Sequence, residues 1–384
     1  MQVKNICNKA NSLKGPNMQA AVTYAANQPI EVVDIELGEL GPYDIQVEIK
    51  FSGLCHSDVS AQQGLTRFPI PLILGHEGAG IVTATGSNVS QTQVGSHIVL
   101  SALIHCGVCD HCKKGKENIC LWGLASLSAS RNSNSTRGPT DSKGTELFQF
   151  ASIGTLATHL ICSEKHAVNI PKDVPLDIAC LAGCAVLTGT GAVFNRAKVF
   201  PGSTVLVIGC GGVGLNVIQA SVIAGASTII GVDLHDSKLE MARSFGATHI
   251  INSSSKTNIV EQVMHITQEI GVDFAFEVVG VAETLRLGWD CLAIDGTLTA
   301  VGMHAIGSEF SLPADQMNTE KTLMASLYGS NRPTSDIARV IEQYREGKLK
   351  LEDLITERFE LKDINLAVDK ILSGEGARSI VVFD

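Results

Sequence analysis

The stretch TVLVIGCGGVGLNVIQASVIAGASTIIGVD, residues 204–233, decides the fold. Thr204–Ile208 is rich in β-branched side chains and reads as a buried strand. Gly209, Cys210, Gly211, Gly212, Val213 and Gly214 follow, and an apolar, proline-free run to Ala224 reads as a helix. Ser227–Val232 is a second strand, and Asp233 lies nineteen residues past Gly214. The order strand, G-x-G-x-x-G, helix, strand, acid is that of a dinucleotide site. Gly209 permits the tight turn, Gly211 lets backbone approach a pyrophosphate, and Gly214 allows the helix to lie against the strand. Gly212 and Val213 open the helix, whose first N–H groups and positive dipole end suit phosphate. Asp233 can hydrogen-bond ribose hydroxyls and would repel a 2′-phosphate. The next residues, Leu234 and His235, include no Arg to receive one, so NAD is expected over NADP.

Outward from this motif, strand-like runs recur at TIIGVD, THIIN, VDFAFEVVG and GTLTAVG, with helical patterns such as SKLEMARSFG between them. That alternation predicts an α/β fold, a Rossmann-type doubly wound parallel sheet over residues 185–327. Residues 18–184 read instead as irregular and β-rich, with strands in MQAAVTY, VEIKFSG, GAGIVTATG and GSHIVLSAL. The stretch Ser126–Gly144, rich in Ser, Asn and Thr, reads as a surface loop. Residues 328–384 hold two helical patterns and a last strand, SIVVFD. The first 17 residues are polar, lack the apolar core of a secretory signal, and read as an extension outside the fold.

With 384 residues, 45% of them hydrophobic, the chain can bury two domain cores. A net charge of −10 disfavours nucleic acid and anionic membrane as partners. The longest apolar tract, Val205–Val232, is broken by Asn216, Gln219 and several glycines, and so is a poor membrane span. Eleven cysteines are an odd number, and four crowd between Cys106 and Cys120, a pattern that favours metal over disulfides. The expected setting is cytoplasmic.

Two groups of metal-ligating residues stand out. Cys106, Cys109, Cys112 and Cys120 can close a tetrahedral zinc shell. The gap of seven before Cys120, with no Pro after it, departs from a bacterial ferredoxin run. Four thiolates leave no open position, so that site would be structural. The second group is scattered: Cys55-His56-Ser57-Asp58, then His76-Glu77, then Cys184. Two thiolates and an imidazole leave a fourth zinc position open, and an electrophilic metal beside a nicotinamide points to hydride exchange with an alcohol.

The motifs GLCHSD, GHEGAGIV, the four-cysteine segment, GCAVLTGTGA, VIGCGGVG, GVDLHDSKLEMA and VDFAFEVVG together resemble the zinc-dependent medium-chain alcohol dehydrogenases, over essentially all of Met18–Asp384. The resemblance implies a β-rich GroES-like catalytic domain with a structural zinc lobe. It implies two Zn2+ per chain, with Cys55, His76 and Cys184 holding the catalytic ion and the four lobe cysteines the other. Ser57 would take the alcohol proton, Glu77 would sit behind the zinc, and Asp58 would orient His76. His56 and Arg378 would meet the pyrophosphate, Lys238 the adenosine ribose, and Thr188 the nicotinamide. Many relatives carry a histidine five residues after the first cysteine ligand. Here it is Ser60, so the outer proton path must use water or His56. The resemblance implies a homodimer joined through the cofactor domains, since relatives that keep a long segment after the lobe, as here at Leu121–Ile153, tend to be dimers.

The implied substrates are primary alcohols and their aldehydes. Ala102 and Ala151 stand where relatives often carry a large aromatic and a Leu, which suggests a widened channel and a preference for aromatic or allylic alcohols. A glutathione-dependent formaldehyde dehydrogenase is the alternative. It is disfavoured because stretches 64–68 and 121–124 lack the acid and the Arg that such relatives use. A non-catalytic zinc and nucleotide binder is a third reading, opposed by the intact Cys55, Ser57, His76 and Cys184.

Overall fold

The computed structural model describes residues 18–66, 68–128, 138–254 and 258–383. The proposed extension at 1–17 and the centre of the Ser126–Gly144 stretch lie outside them.

The glycine-rich motif sits at the middle of a six-stranded parallel sheet. Its strands run in the order His249–Asn252, Thr228–Asp233, Thr204–Ile208, Val272–Glu277, Leu292–Ala300, Thr322–Ala325. Chain order reverses at Thr204–Ile208, which opens a crevice at that strand's carboxyl end. Five of the six strands follow apolar runs visible in the sequence. The sixth, Thr322–Ala325, does not, because it is an edge strand whose residues are mostly exposed and carry no continuous apolar signal.

The rest of the chain forms two further sheets, of five and seven strands. The spine of the larger is the long strand Asp44–Leu54, which pairs antiparallel with Glu77–Thr85 and with His159–Ser163. The last strand, Arg378–Val382, returns from the far end of the chain and pairs Ser379 with Leu54 and Val382 with Phe51. A parallel neighbour of that strand, Ile355–Glu360, was not foreseen. Its strict alternation of half-buried and exposed residues includes four charged or polar side chains, so it lacks an apolar run. The return brings Arg378, more than 300 residues along the chain, to the end of the Asp44–Leu54 strand.

Between the sheets runs the helix Ala185–Gly191, all of it buried. It crosses the helix of the glycine motif, Gly212–Ile223, at Gly189. A Cβ on Gly189 would lie 2.6 Å from the Asn216 Cβ and from the Val213 carbonyl oxygen. No single helix among the described residues is long and apolar enough to cross a membrane. The bent apolar pair Leu176–Gly183 and Ala185–Ala197 is largely core: Cys180–Gly183 and Ala185–Val193 are buried.

Candidate active site

Cys55 ends the Asp44–Leu54 strand and caps the short helix His56–Gln62. The third residue of that helix, Asp58, turns back and is 1% exposed. Its Oδ2 accepts the Cys55 N–H at 2.9 Å, and its Oδ1 accepts the Gly75 N–H at 2.9 Å. The same Oδ1 lies 3.1 Å from His76 Nδ1. With Nδ1 held by a carboxylate, the imidazole is fixed in orientation and Nε2 is left for a ligand. Gly75, at φ +95°, makes the turn that presents His76.

One ligand atom each from Cys55, His76, Glu77 and Cys184 lies within 4.8 Å of the others. Cys184 arrives from the junction before the buried helix Ala185–Gly191, and its Sγ is 3.9 Å from Thr188 Oγ1. Ser57 Oγ is 3.7 Å from Cys55 Sγ. The neighbouring Cys184 thiol, then the Arg378 guanidinium and His76, pull the Cys55 thiol well below its ordinary range. Two soft thiols and an oriented imidazole, converging in a buried space, fit a zinc ion with three protein ligands.

Glu77 is fully buried behind this group. Gly53 makes room for it: a Cβ there would come within 2.1 Å of Glu77 Oε2. Burial pushes the Glu77 carboxyl up to about 7, opposed by Arg378, whose Nη2 lies 3.1 Å from Oε1. Arg378 also donates to the Leu54 carbonyl at 3.2 Å and reaches Cys55 Sγ at 3.8 Å. Its other side lies against the glycine motif, where a Cβ on Gly212 would meet Arg378 Nε at 2.6 Å. One guanidinium therefore joins the thiol-imidazole cluster to the dinucleotide loop.

That loop has the features a pyrophosphate needs. Gly209 has φ +96°. A Cβ on Gly214 would strike the Gly209 carbonyl oxygen at 1.8 Å, so the helix can approach the strand only with glycine there. Around Gly211 no atom lies within 4 Å of a Cβ position, which leaves an open cradle at the helix N-terminus. Arg378 Nε is buried without a hydrogen-bond partner beside it. An open cradle and an orphaned cationic N–H fit the phosphates of a nicotinamide dinucleotide. Asp233 Oδ2 accepts the Cys210 N–H at 2.8 Å and Oδ1 the His235 N–H at 3.1 Å, which fixes the carboxylate at the end of its strand. Lys238 is half-buried on the next helix, and its charge acts on the Cys210 thiol. Val213 is half-buried at the first turn, and His56 is exposed.

The four-cysteine lobe is equally compact. The Sγ atoms of Cys109 and Cys112 are 3.5 Å apart, Cys109 and Cys120 3.8 Å, and Cys106 and Cys112 4.0 Å. A tetrahedron of Zn–S bonds near 2.3 Å has edges of about 3.8 Å, so the donor set fits that ion. The N–H groups of Val108 and Cys109 point at Cys106 Sγ and lower its thiol to about 6. No disulfide joins any described cysteine. His105 is turned toward Glu117, with Nδ1 3.7 Å from Oε2.

Three contributors, Phe150, Tyr328 and Gly53, were not visible in the sequence. The Phe150 ring stacks on His76 at 4.7 Å between centroids, and Phe68 lies 4.3 Å from Phe150. Ala151, the position expected to face substrate, is fully buried with φ +51°, and its neighbour Phe150 overlies the imidazole. Tyr328 reaches across to Gly183 and Ala102, donating to the Gly183 carbonyl and accepting the Ala102 N–H at 3.3 Å. Gly53 gives no local signal, because its role is only to be empty.

Two family descriptions match the chain: "Alcohol dehydrogenase GroES-like domain" over residues 41–172 and "Zinc-binding dehydrogenase" over residues 212–346. The chain is 34% identical to the S-(hydroxymethyl)glutathione dehydrogenase of Paracoccus denitrificans, across 95% of this chain and 99% of that one. Among solved structures it is similar to an alcohol dehydrogenase zinc-binding domain protein from Burkholderia ambifaria, with TM-score 0.90, 31% identity and coverage of 96% and 99%. The benzyl alcohol dehydrogenase of Acinetobacter calcoaceticus gives TM-score 0.88 at 32% identity, with the same coverage. With both halves matched by zinc-dehydrogenase descriptions and full-length relatives above 30% identity, the chain belongs to the zinc-dependent medium-chain alcohol dehydrogenases, a family of oxidoreductases.

Proposed function

We propose that the protein is an NAD-dependent dehydrogenase of bulky primary alcohols, aromatic or allylic, and of their aldehydes. The observation that carries this reading is the Phe150 ring stacked on His76, with Phe68 tilted against Phe150. It sets aromatic rings beside the thiol-imidazole cluster, and rings prefer offset or tilted contact with other rings. Ala102, joined to the Gly183–Cys184 turn by two hydrogen bonds through the Tyr328 hydroxyl, puts a methyl group where relatives often carry a large aromatic.

In this reading Cys55, His76 and Cys184 hold one zinc, and Cys106, Cys109, Cys112 and Cys120 hold a second. When bound, the first ion supplies a Lewis acid for the substrate oxygen, and NAD supplies the hydride acceptor. The rest is done by the chain. Asp58 keeps the His76 ring in one tautomer. Ser57 Oγ receives the alcohol proton and passes it outward to water or to His56, since Ser60 cannot act as a base. Arg378 and His56 neutralise pyrophosphate at the Gly209–Gly214 loop, Asp233 and Lys238 hold the adenosine ribose, and Thr188 lines the nicotinamide side. Glu77, paired to Arg378, sits behind the cluster; breaking such a buried pair typically costs about 3–5 kcal/mol.

A second reading is supported by the Paracoccus relative named for S-(hydroxymethyl)glutathione. Comparing kcat/KM for S-hydroxymethylglutathione with that for cinnamyl alcohol separates the two. We also propose a homodimer joined at the cofactor sheet. Its edge strand Thr322–Ala325 is open, and Leu323 is exposed, as are Met303, Ile306 and Met317 nearby in sequence. Light scattering should give twice the chain mass, and a tetramer contradicts the proposal.

Metal analysis of the purified protein should give two zinc ions per chain. Cys184→Ala should lose one ion and essentially all activity while remaining folded. Cys112→Ala should lose the other and unfold more readily, because a closed site contributes folding free energy. One ion per wild-type chain would refute the scheme.

NAD should be strongly preferred, and Asp233→Ala should narrow the gap by raising kcat/KM with NADP. A wild type that uses both cofactors equally would overturn the role given to Asp233.

Benzyl or cinnamyl alcohol should exceed ethanol in kcat/KM by roughly 10-fold or more, since a loosely held small substrate is poorly positioned. Ala102→Phe should reverse much of that preference. Ethanol matching benzyl alcohol in the unmodified enzyme would refute the pocket argument.

A further inference from the structure

The six residues Leu327–Arg332 leave the edge of the cofactor sheet and cross over the catalytic half. Three in a row hold left-handed backbone: Tyr328 at φ +53°, Gly329 at +69° and Ser330 at +52°. Residues with side chains keep that conformation only where their surroundings enforce it. Here the surroundings come from three places. Asn118, inside the four-cysteine lobe, donates its amide to the Leu327 carbonyl at 3.0 Å. Arg332 reaches back to the lobe, with Nε 3.5 Å from the Gly115 carbonyl oxygen. Between these contacts, the buried Tyr328 hydroxyl donates to Gly183, and the fully buried Asn331 amide donates to the Leu187 carbonyl at 2.8 Å and to the Tyr328 carbonyl at 2.6 Å.

The Gly183 carbonyl belongs to the peptide unit that carries the Cys184 nitrogen. Cys184 itself lies at φ −146°, ψ −69°, outside both helix and strand. Its side-chain direction is therefore set by how that peptide plane is held. The helix that follows is gripped one turn later, at Leu187. The Tyr328 hydroxyl also receives the Ala102 N–H, so the same oxygen joins the Cys184 turn to the segment at Ala102.

We propose that Leu327–Arg332 is a positioning strap, which transmits the shape of the four-cysteine lobe to Cys184, with the Tyr328 hydroxyl as its positioning group. The proposal rests on the reading of Cys55, His76 and Cys184 as a zinc site. It gives the lobe a task beyond closing its own loop: Asn118 and Arg332 hold the two ends of the strap that fixes a ligand of the other site.

The test uses the full chain carrying both metals, first with zinc and then with cobalt in its place. Tyr328→Phe keeps the ring and removes the hydroxyl. It should retain two metals per chain, yet release the Cys184-bound one to a chelator faster by about 10-fold, the scale on which lost outer contacts act. Its thiolate-to-cobalt absorption, isolated by difference against Cys184→Ala, should shift. Asn118→Ala, which touches neither Cys184 nor its neighbours, should shift both readouts in the same direction by less. Lys114→Ala, on the exposed side of the lobe, should shift neither. If Tyr328→Phe does not fold, Asn118→Ala decides. Wild-type release rates and spectra in the folded variants would overturn the strap and leave the zinc reading intact. Cys184→Ala with undiminished metal content would overturn both.

Discussion

The buried carboxylate of Asp58 is the constraint from which the site is built. It caps the helix it belongs to by taking the Cys55 N–H, and it takes the Gly75 N–H and faces His76 Nδ1 from a different segment. One side chain thus sets the relative position of a cysteine at a strand end and a histidine at a turn. Both neighbouring N–H groups would otherwise be buried donors without partners, a costly state. The same bonds that satisfy the backbone also fix the placement of Cys55 relative to His76.

The second organising element is Arg378. It arrives on the last strand, and its charge lies between Glu77, Cys55 and the Gly212 end of the dinucleotide helix. Catalytic and cofactor halves are often pictured as separate units with a cleft between them. In this chain the two halves share a cation, and the orphaned Nε shows which way it still has capacity to bind.

Much of this was legible in the sequence, for definite reasons. The glycine motif is local: turn, helix start and acid all lie within thirty residues, and each has a steric or electrostatic requirement that few residue types meet. The four-cysteine lobe is local too. The Cys55, His76 and Cys184 group is dispersed, and its reading leaned on resemblance more than on spacing. What the sequence hid was contact across distance. Phe150 is one of twelve phenylalanines, and nothing near it points to His76. Tyr328 sits after an exposed edge strand and gives no apolar period to follow. The strands Thr322–Ala325 and Ile355–Glu360 escaped because edges and half-solvated strands do not build the apolar runs by which strands are recognised.

Gly53 makes a different point. Its backbone is ordinary extended strand, so the usual reason for glycine, a left-handed turn, is absent. It is glycine because the Glu77 carboxylate occupies the space a methyl group would fill. Any larger residue would displace that carboxylate, which is paired with Arg378, and disturb the charge balance around it. A mutational scan read out by activity alone would therefore rank Gly53 with the chemical residues, although it contributes only an absence of atoms.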